Sequence, residues 1–313
     1  MRAATIRDGE VFVDEHPDPV AGAGEVLLRV HGAGLNGADQ MQLRGRYPAP
    51  PGSPPDIPGL ELAGSVETLG PGASRFAVGD RVMGIVGGGG QAELAVVHER
   101  QLTAVPACVE FPDAGGLPEV FTTAHDAIFT QAGLRPGERL LVHGAAGGVG
   151  TAAVQLAHAA GARVTATVRN PDARAAVANL GADEVLGPED FEAHAPFDVI
   201  LELVGAPNLG ANLKALATNG RIVVIGVGAG AKAELNLLAL MSKRGRIMAS
   251  TLRARPLEEK ALTAREMERE VLPLFERGTL RVPVAETFAL DDVAAAYKRF
   301  AAGGKLGKII LVP

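Results

Sequence analysis

The chain has 313 residues, more than one core usually serves, so two domains are expected, each able to bury its own interior. Hydrophobic residues at 47% and charged residues at 21% exclude a disordered or fibrous chain. A formal net charge of −6, with basic residues dispersed along the chain, argues against a surface built to neutralise nucleic-acid phosphates or an anionic membrane.

Cys108 is the only cysteine, which excludes an internal disulfide, an all-cysteine zinc site and a CxxC redox pair. In TAVPACVEFP it reads as an inert, half-buried thiol. The opening MRAATIRDGEVFVDEH has no apolar core of a secretion signal, and no apolar run approaches a bilayer's thickness. A cytoplasmic location is therefore expected.

From residue 1 to about 118 the chain shows short β-type runs, EVLLRVHGAGL, LELAGSVETLG, DRVMGIV and QAELAVV, punctuated by Gly and Pro. That texture predicts an irregular, mostly antiparallel β domain, with the GGGG at 87–90 as a loop tip. The pattern changes near Leu117 and Pro118. Over 119–252, strands alternate with helices: RLLVHGA, RVTATV, DEVL, FDVILELV, RIVVIGV and RIMASTL as strands, with helical spacing at 148–160, 172–180, 207–217 and 235–243. Such alternation predicts a doubly wound parallel sheet of the Rossmann kind. A long helix is expected over 258–277, then DDVAAAYKRFAAG with Asp291 or Asp292 as its cap, then a last strand KIILVP. Residues 253–313 are expected to complete the first domain.

Between the strand ERLLV and the helix TAAVQLA lies HGAAGGVG. From Ala145 it reads G-x-G-x-x-G with alanine in the first slot, Gly147 in the second and Gly150 in the third. Gly147 lets a backbone approach a diphosphate, and Gly150 lets the helix pack closely on the sheet. The diphosphate is then expected on the first turn, Ala146, Gly147, Gly148, Val149 and Gly150, where unpaired amides and the positive end of the dipole converge. Folds that favour NAD place an acidic residue roughly 20 residues further on. Here the strand ends in TATVRNPDAR, with Val168 and Arg169 in that slot, then Asn170, and Arg174 a turn later. Arginines suit a 2′-phosphate, so NADPH is the expected cofactor. Open α/β sheets bind ligands at the carboxyl ends of their strands, which nominates Val204 and Gly205, then Ile225, Gly226 and Val227, then Ser250, Thr251 and Leu252. His143 reads as a buried hydrogen-bonding residue and His125 as structural. No Ser, His, Asp order and no HxxxH pair suggests a hydrolase or metal enzyme.

The order of domains, together with GLNGADQMQLRGRYPAPPG, PGLELAGSVETLGPG, GDRVMGIVGGGGQAELAVV, LPEVFTTAHDAIF and ASTLRARPLEEK, resembles the medium-chain dehydrogenase/reductase superfamily. Within it, these stretches are similar to the zinc-free quinone oxidoreductase branch that includes zeta-crystallin. The resemblance implies a GroES-like first domain and a site in a cleft between the domains. It implies that Asn36 and Tyr47 line the nicotinamide and acceptor pocket, with Thr123 near the nicotinamide. Where zinc alcohol dehydrogenases place metal ligands, this chain has Asn36, Leu60 and Glu119, and Ala38 stands where they keep a proton-relaying hydroxyl, so no metal is expected. The implied reaction is hydride transfer from NADPH to a quinone. An enone or alkenal acceptor remains an alternative, as does a non-catalytic nucleotide-binding structural or RNA-binding protein. Relatives pair subunits along an edge strand, for which RIMASTL is the candidate, so a homodimer is expected. Two departures stand out. LGPED at 186–190 replaces a tyrosine common near the adenosine phosphate, and only EAHAPF separates Phe191 from the next strand, which shortens a helix.

Overall fold

The computed structural model, which describes residues 1–313, divides into two units. Unit 1 is Met1–Thr122, Leu252–Gly303 and Lys308–Pro313; unit 2 is Thr123–Thr251 and Gly304–Gly307.

In chain order unit 1 carries β1 (Arg2–Arg7), β2 (Glu10–Glu15), β3 (Glu25–Gly34), α1 (Gly37–Leu43), β4 (Glu61–Leu69), β5 (Arg81–Ile85), β6 (Leu94–His98), β7 (Leu102–Ala104) and the start of α2 (Pro118–His125). Unit 2 follows with β8 (Arg139–Val142), α3 (Gly148–Ala159), β9 (Arg163–Thr167), α4 (Arg174–Ala178), β10 (Glu184–Leu186), β11 (Phe197–Glu202), α5 (Leu209–Ala215), β12 (Leu216–Val224), α6 (Leu237–Lys243) and β13 (Arg246–Ala249). Unit 1 resumes with α7 (Leu257–Glu266), α8 (Leu272–Glu276), β14 (Val284–Ala289), α9 (Val293–Ala302) and β15 (Lys308–Val312).

In unit 1 the alternation of β3 decides the sheet. Val26, Leu28 and Val30 face inward while Arg29 faces out, as a half-buried antiparallel strand requires. The order is β14-β15-β3-β4-β5-β7, with β6 also on β3. The last strand, β15, returns antiparallel to β3 and parallel to β14. This is the expected mostly antiparallel GroES-like domain.

In unit 2 the strands β8 and β11 are apolar on both faces, the mark of a sheet covered on two sides. All pairings are parallel, in the order β10-β9-β8-β11-β12-β13. That is the Rossmann order, whose direction reverses between β8 and β11. Leu141, Phe197, Ile200 and Ile222 pack one face of this sheet, and each such buried side chain stabilises the fold by about 1.5–3 kcal/mol.

Four local expectations need correction. Gly87–Gly90 is not a loop tip: it is packed under Pro50, Ser53 and Pro54, and a Cβ on Gly87 would strike the Ser53 hydroxyl. Backbone lies directly on backbone there, which glycine alone permits. Cys108 is exposed rather than half-buried, its Sγ 3.3 Å from the Phe275 carbonyl. The helix over 258–277 is interrupted by a wider π turn at Met267–Val271, next to Pro273, whose missing N–H breaks regular bonding. Asp292 precedes α9 without a side-chain capping bond, and Asp291 pairs with Arg2 at 2.9 Å.

Candidate active site

Unit 2 builds a cradle for a dinucleotide from the end of β8. Gly144 takes the left-handed conformation, φ +63°, and turns the chain toward α3. A Cβ on Gly150 would lie 2.6 Å from Ala145 Cα, so the helix touches the loop backbone there. A Cβ on Gly147 would meet only the Gly144 carbonyl, at 3.4 Å, which leaves open space above the amides of the first turn. No acidic residue stands in that turn. Bare amides, the helix dipole and free space at Gly147 fit a diphosphate.

At the end of β9, Val168 is buried and Arg169 exposed. Asn170 caps the next turn, accepting from Asp172 N at 3.2 Å, and donates to the Gly304 carbonyl at 3.2 Å. Arg174 Nε donates to the Val168 carbonyl at 3.3 Å, and its guanidinium lies beside Gly187. Two guanidinium side chains therefore follow β9, and the position directly at its end holds no carboxylate, the first being Asp172 in the next turn. The segment after β10 holds only a single 3₁₀ turn, Phe191–His194, as the short EAHAPF spacing implied.

The carboxyl end of β11 is organised by Glu202, which is 2% exposed. Its Oε1 accepts from Val204 N at 2.6 Å, Gly205 N at 2.8 Å and Asn208 Nδ2 at 3.4 Å. Its Oε2 accepts from Asn212 Nδ2 at 2.8 Å. Asn212 Oδ1 lies 2.8 Å from His143 Nε2, and His143 Nδ1 lies 3.1 Å from Thr167 Oγ1. Because Asn212 gives its amide N–H to the carboxylate, its oxygen must accept from His143 Nε2–H, which leaves Nδ1 to accept from the threonine hydroxyl. Burial pushes the His143 pKa below its usual value, against the opposing influence of Glu202, which suits a neutral ring. His143 is thus a buried hydrogen-bonding residue, as its place in the strand suggested. The turn that Glu202 holds is clamped again by the next one. Ile225 and Gly226 donate to the Glu202 carbonyl, Ala229 to the Val204 carbonyl, and Ala206 to the Gly230 carbonyl. Gly205, at φ +119°, has no room for a side chain, since a Cβ would come 2.5 Å from the Gly230 carbonyl.

Ser250 donates to Asp126 Oδ2 at 2.8 Å. Thr123 and Thr251 lie in unit 2, whereas Leu252 begins the second segment of unit 1 and is buried beside Leu117 and Met83. His125 is buried, its ring 5.2 Å from that of Phe129.

Unit 1 places Asn36 just before α1, in a cluster of three buried polar side chains. Lys308 Nζ donates to Glu61 Oε1 at 2.6 Å, Asn36 Oδ1 at 2.7 Å and the Leu35 carbonyl at 2.8 Å. Asn36 Nδ2 donates to the same Glu61 oxygen at 2.9 Å and to the Gly34 carbonyl at 3.1 Å. The second Glu61 oxygen accepts from Glu119 N at 2.9 Å. Glu61 is 0% and Lys308 2% exposed, so this is a dry ion pair held in a fixed geometry. The Asn36 amide is committed within it. A Cβ on Gly34 would strike both Glu61 and Lys308. Beneath, Asp39 accepts from Asn36 N at 2.8 Å and Gly59 N at 3.2 Å. Burial raises the Asp39 pKa to about 6, although those amides and the nearby Lys308 oppose the rise.

Tyr47 is half-buried, its ring over the Arg253 guanidinium at 5.2 Å. Arg253 donates to the Gly87 carbonyl at 2.7 Å, the Tyr47 carbonyl at 2.9 Å and Gln42 Oε1 at 2.6 Å, tying two loops to α1. Burial raises the tyrosine's pKa, and Glu119 adds to the effect.

Glu61, Glu202, Arg253 and Lys308 were missed by the sequence reading. One signal points to three of them: a charge set inside an apolar run, as in PGLELAG, FDVILELV and GKIILV. Charges are almost never fully buried unless paired, so such a residue advertises a partner without naming it.

A cradle of amides at the switch point of a Rossmann sheet, in a chain that also carries a GroES-like domain, defines a nicotinamide-dependent oxidoreductase of the medium-chain dehydrogenase/reductase superfamily. Family models agree: the zinc-binding dehydrogenase model matches residues 148–274, and the alcohol dehydrogenase GroES-like domain model matches residues 22–107. Quinone oxidoreductase of Rattus norvegicus is 31% identical over 305 residues, covering 94% of this chain and 91% of that protein. Spectinabilin polyketide synthase system protein NorB of Streptomyces orinoci is 35% identical over 308 residues, which are 94% of this chain but only 14% of that protein. Among solved structures, the quinone oxidoreductase of Pseudomonas syringae pv. Tomato DC3000 superposes with a TM-score of 0.86 at 30% identity, covering 100% of this chain and 98% of that one. The chain belongs to the quinone oxidoreductase branch of that superfamily.

Proposed function

We propose that this protein transfers hydride from NADPH to a quinone without a metal ion, acting as a homodimer with no nucleic-acid or membrane partner. The carrying observation is the buried Lys308, Glu61 and Asn36 cluster. Of the three positions where the zinc-dependent branch holds its ligands, one is an amide committed to an ion pair and one is the buried, donorless Leu60. The choice of NADPH is supported by Arg169 and Arg174 after β9, where a dinucleotide site selective for NADH carries a carboxylate. The choice of acceptor is supported by the names of the relatives.

When bound, the nicotinamide supplies the hydride. The amides of Gly148, Val149 and Gly150 would hold the diphosphate and the two arginines the 2′-phosphate, while Glu202 fixes the turn of Val204 and Gly205. Tyr47, seated on Arg253, offers a ring face to a flat acceptor. A quinone is already electron-deficient, and its reduced oxygens take protons from water, so neither a Lewis acid nor a chain acid is needed. Two features support the homodimer: β13 ends its sheet, and Leu237, Leu238 and Met241 are exposed on the preceding α6.

The test is NADPH oxidation with a naphthoquinone, with and without a chelator. Turnover undiminished by chelation is expected. A loss restored by zinc would overturn the metal-free reading, faster turnover of an alkenal would move the function to double-bond reduction, and binding without turnover of any acceptor would leave a nucleotide-binding protein. Arg169→Asp is expected to weaken NADPH binding about tenfold by calorimetry while leaving NADH nearly unchanged.

A further inference from the structure

We infer that Lys305 is a cofactor-binding residue whose ammonium supplies the diphosphate with the positive charge that the glycine loop lacks. The inference rests on the dinucleotide reading of unit 2 and is independent of the preference for NADPH. Of the C-terminal tail, only Gly304–Gly307 belongs to unit 2, and it is anchored there at both ends. The Gly304 carbonyl accepts from Asn170 Nδ2 at 3.2 Å, at the ribose end of the cradle. Gly307 N donates to the Ala146 carbonyl at 2.8 Å, and Gly307 forms a parallel β-bridge with Gly147, at the diphosphate end. Gly304 and Gly307 both adopt positive φ, +70° and +77°, which curls the strap back toward the loop.

Lys305 sits between these anchors, and its Nζ lies 2.5 Å from the Gly307 carbonyl. The ammonium is therefore turned to the Gly147 end, away from Arg169. Charge accounting favours the same place. The amide end of α3 amounts to roughly half a positive charge, whereas each phosphate of a dinucleotide carries a full negative one. Neither the loop nor the first turn of α3 contains a lysine or arginine, and both ring nitrogens of His143 are engaged by Thr167 and Asn212. A lysine, as a compact point charge on a flexible stem, suits a phosphate whose oxygens are already oriented by amides. The work is thereby divided, with arginines at the ribose and the lysine at the diphosphate.

Calorimetric Kd values for NADPH and NADH on the full chain, with Lys305→Met and Lys305→Arg, test this. The Met variant is expected to lose about tenfold for both cofactors alike, and the Arg variant to keep most of the affinity, with unfolding temperatures of the cofactor-free proteins unchanged. Unaltered affinity for both cofactors in the Met variant, or a loss confined to NADPH, would overturn the assignment, as would a wild-type chain that binds neither. An Arg169→Asp variant that weakens both cofactors equally would instead remove the NADPH preference and leave Lys305 standing. If Lys305→Met lowers the unfolding temperature, Lys305→Gln repeats the comparison with a shape that can still bond the Gly307 carbonyl.

Discussion

Each unit buries a glutamate at its candidate site, and the two are neutralised by opposite means. Glu61 in unit 1 faces the Lys308 ammonium, with amide donors around the pair. Glu202 in unit 2 is surrounded by four N–H groups, two from backbone and two from asparagines. A charge matched by a charge locks side chains and leaves little to adjust. A charge matched by amides instead shapes the backbone that supplies them, here the turn carrying Val204 and Gly205. The first arrangement closes a site; the second displays one.

The comparison breaks most visibly at its ion pair. Lys308→Met leaves Glu61 buried without its cation and is expected to cost about 3–5 kcal/mol, read as a lower urea midpoint. Adding Glu61→Leu should recover much of that loss, because an apolar pair of similar volume tolerates burial; a double variant as unstable as the sum of the singles would contradict the ion-pair account.

The pH response of the two units should run in opposite directions. Asp39 in unit 1 has its pKa raised from 3.8 to about 6, so the folded chain holds the proton longer than the unfolded one. Stability from this group is present below 3.8 and is lost as pH rises through 6, by about 3 kcal/mol. His143 in unit 2 has its pKa lowered from 6.5, so the unfolded chain binds more protons below that value and stability falls as the pH drops through it. Urea titrations between pH 4 and 8 on Asp39→Asn and His143→Gln check this, each variant losing its own slope and retaining the other.

Glu202→Gln is the gentler intervention, since shape is kept and charge-assisted bonds become neutral ones. About 2 kcal/mol of stability is expected to go, together with weaker binding of NADH and NADPH alike. Intact cofactor affinity in a destabilised Glu202→Gln protein would show that the turn it holds does not serve the cofactor.

Much of unit 2 was legible because its signals are local. The glycine loop, the apolar runs of β8 and β11 and the helical spacing after them are written in consecutive residues. The polar clusters were not legible. Lys308 and Glu61 stand 247 positions apart, and no periodicity in either neighbourhood specifies the other. The run at Gly87–Gly90 misled for a related reason: glycine declares backbone freedom, and only the packing of Pro50 and Ser53 against it says whether that freedom serves a turn or a close approach. The tail reads as a strand from KIILVP, but nothing in GGKLG announces that four of its residues lie along the glycine loop.

The lysine at the start of β15 also sets what can be engineered into this sheet. Introducing a thiolate and an imidazole at Asn36 and Leu60 would leave a divalent ion beside a tethered ammonium that no buffer can wash away. Any design that places a metal at these positions must therefore start at the far end of the chain, with Lys308, before a ligand is grafted.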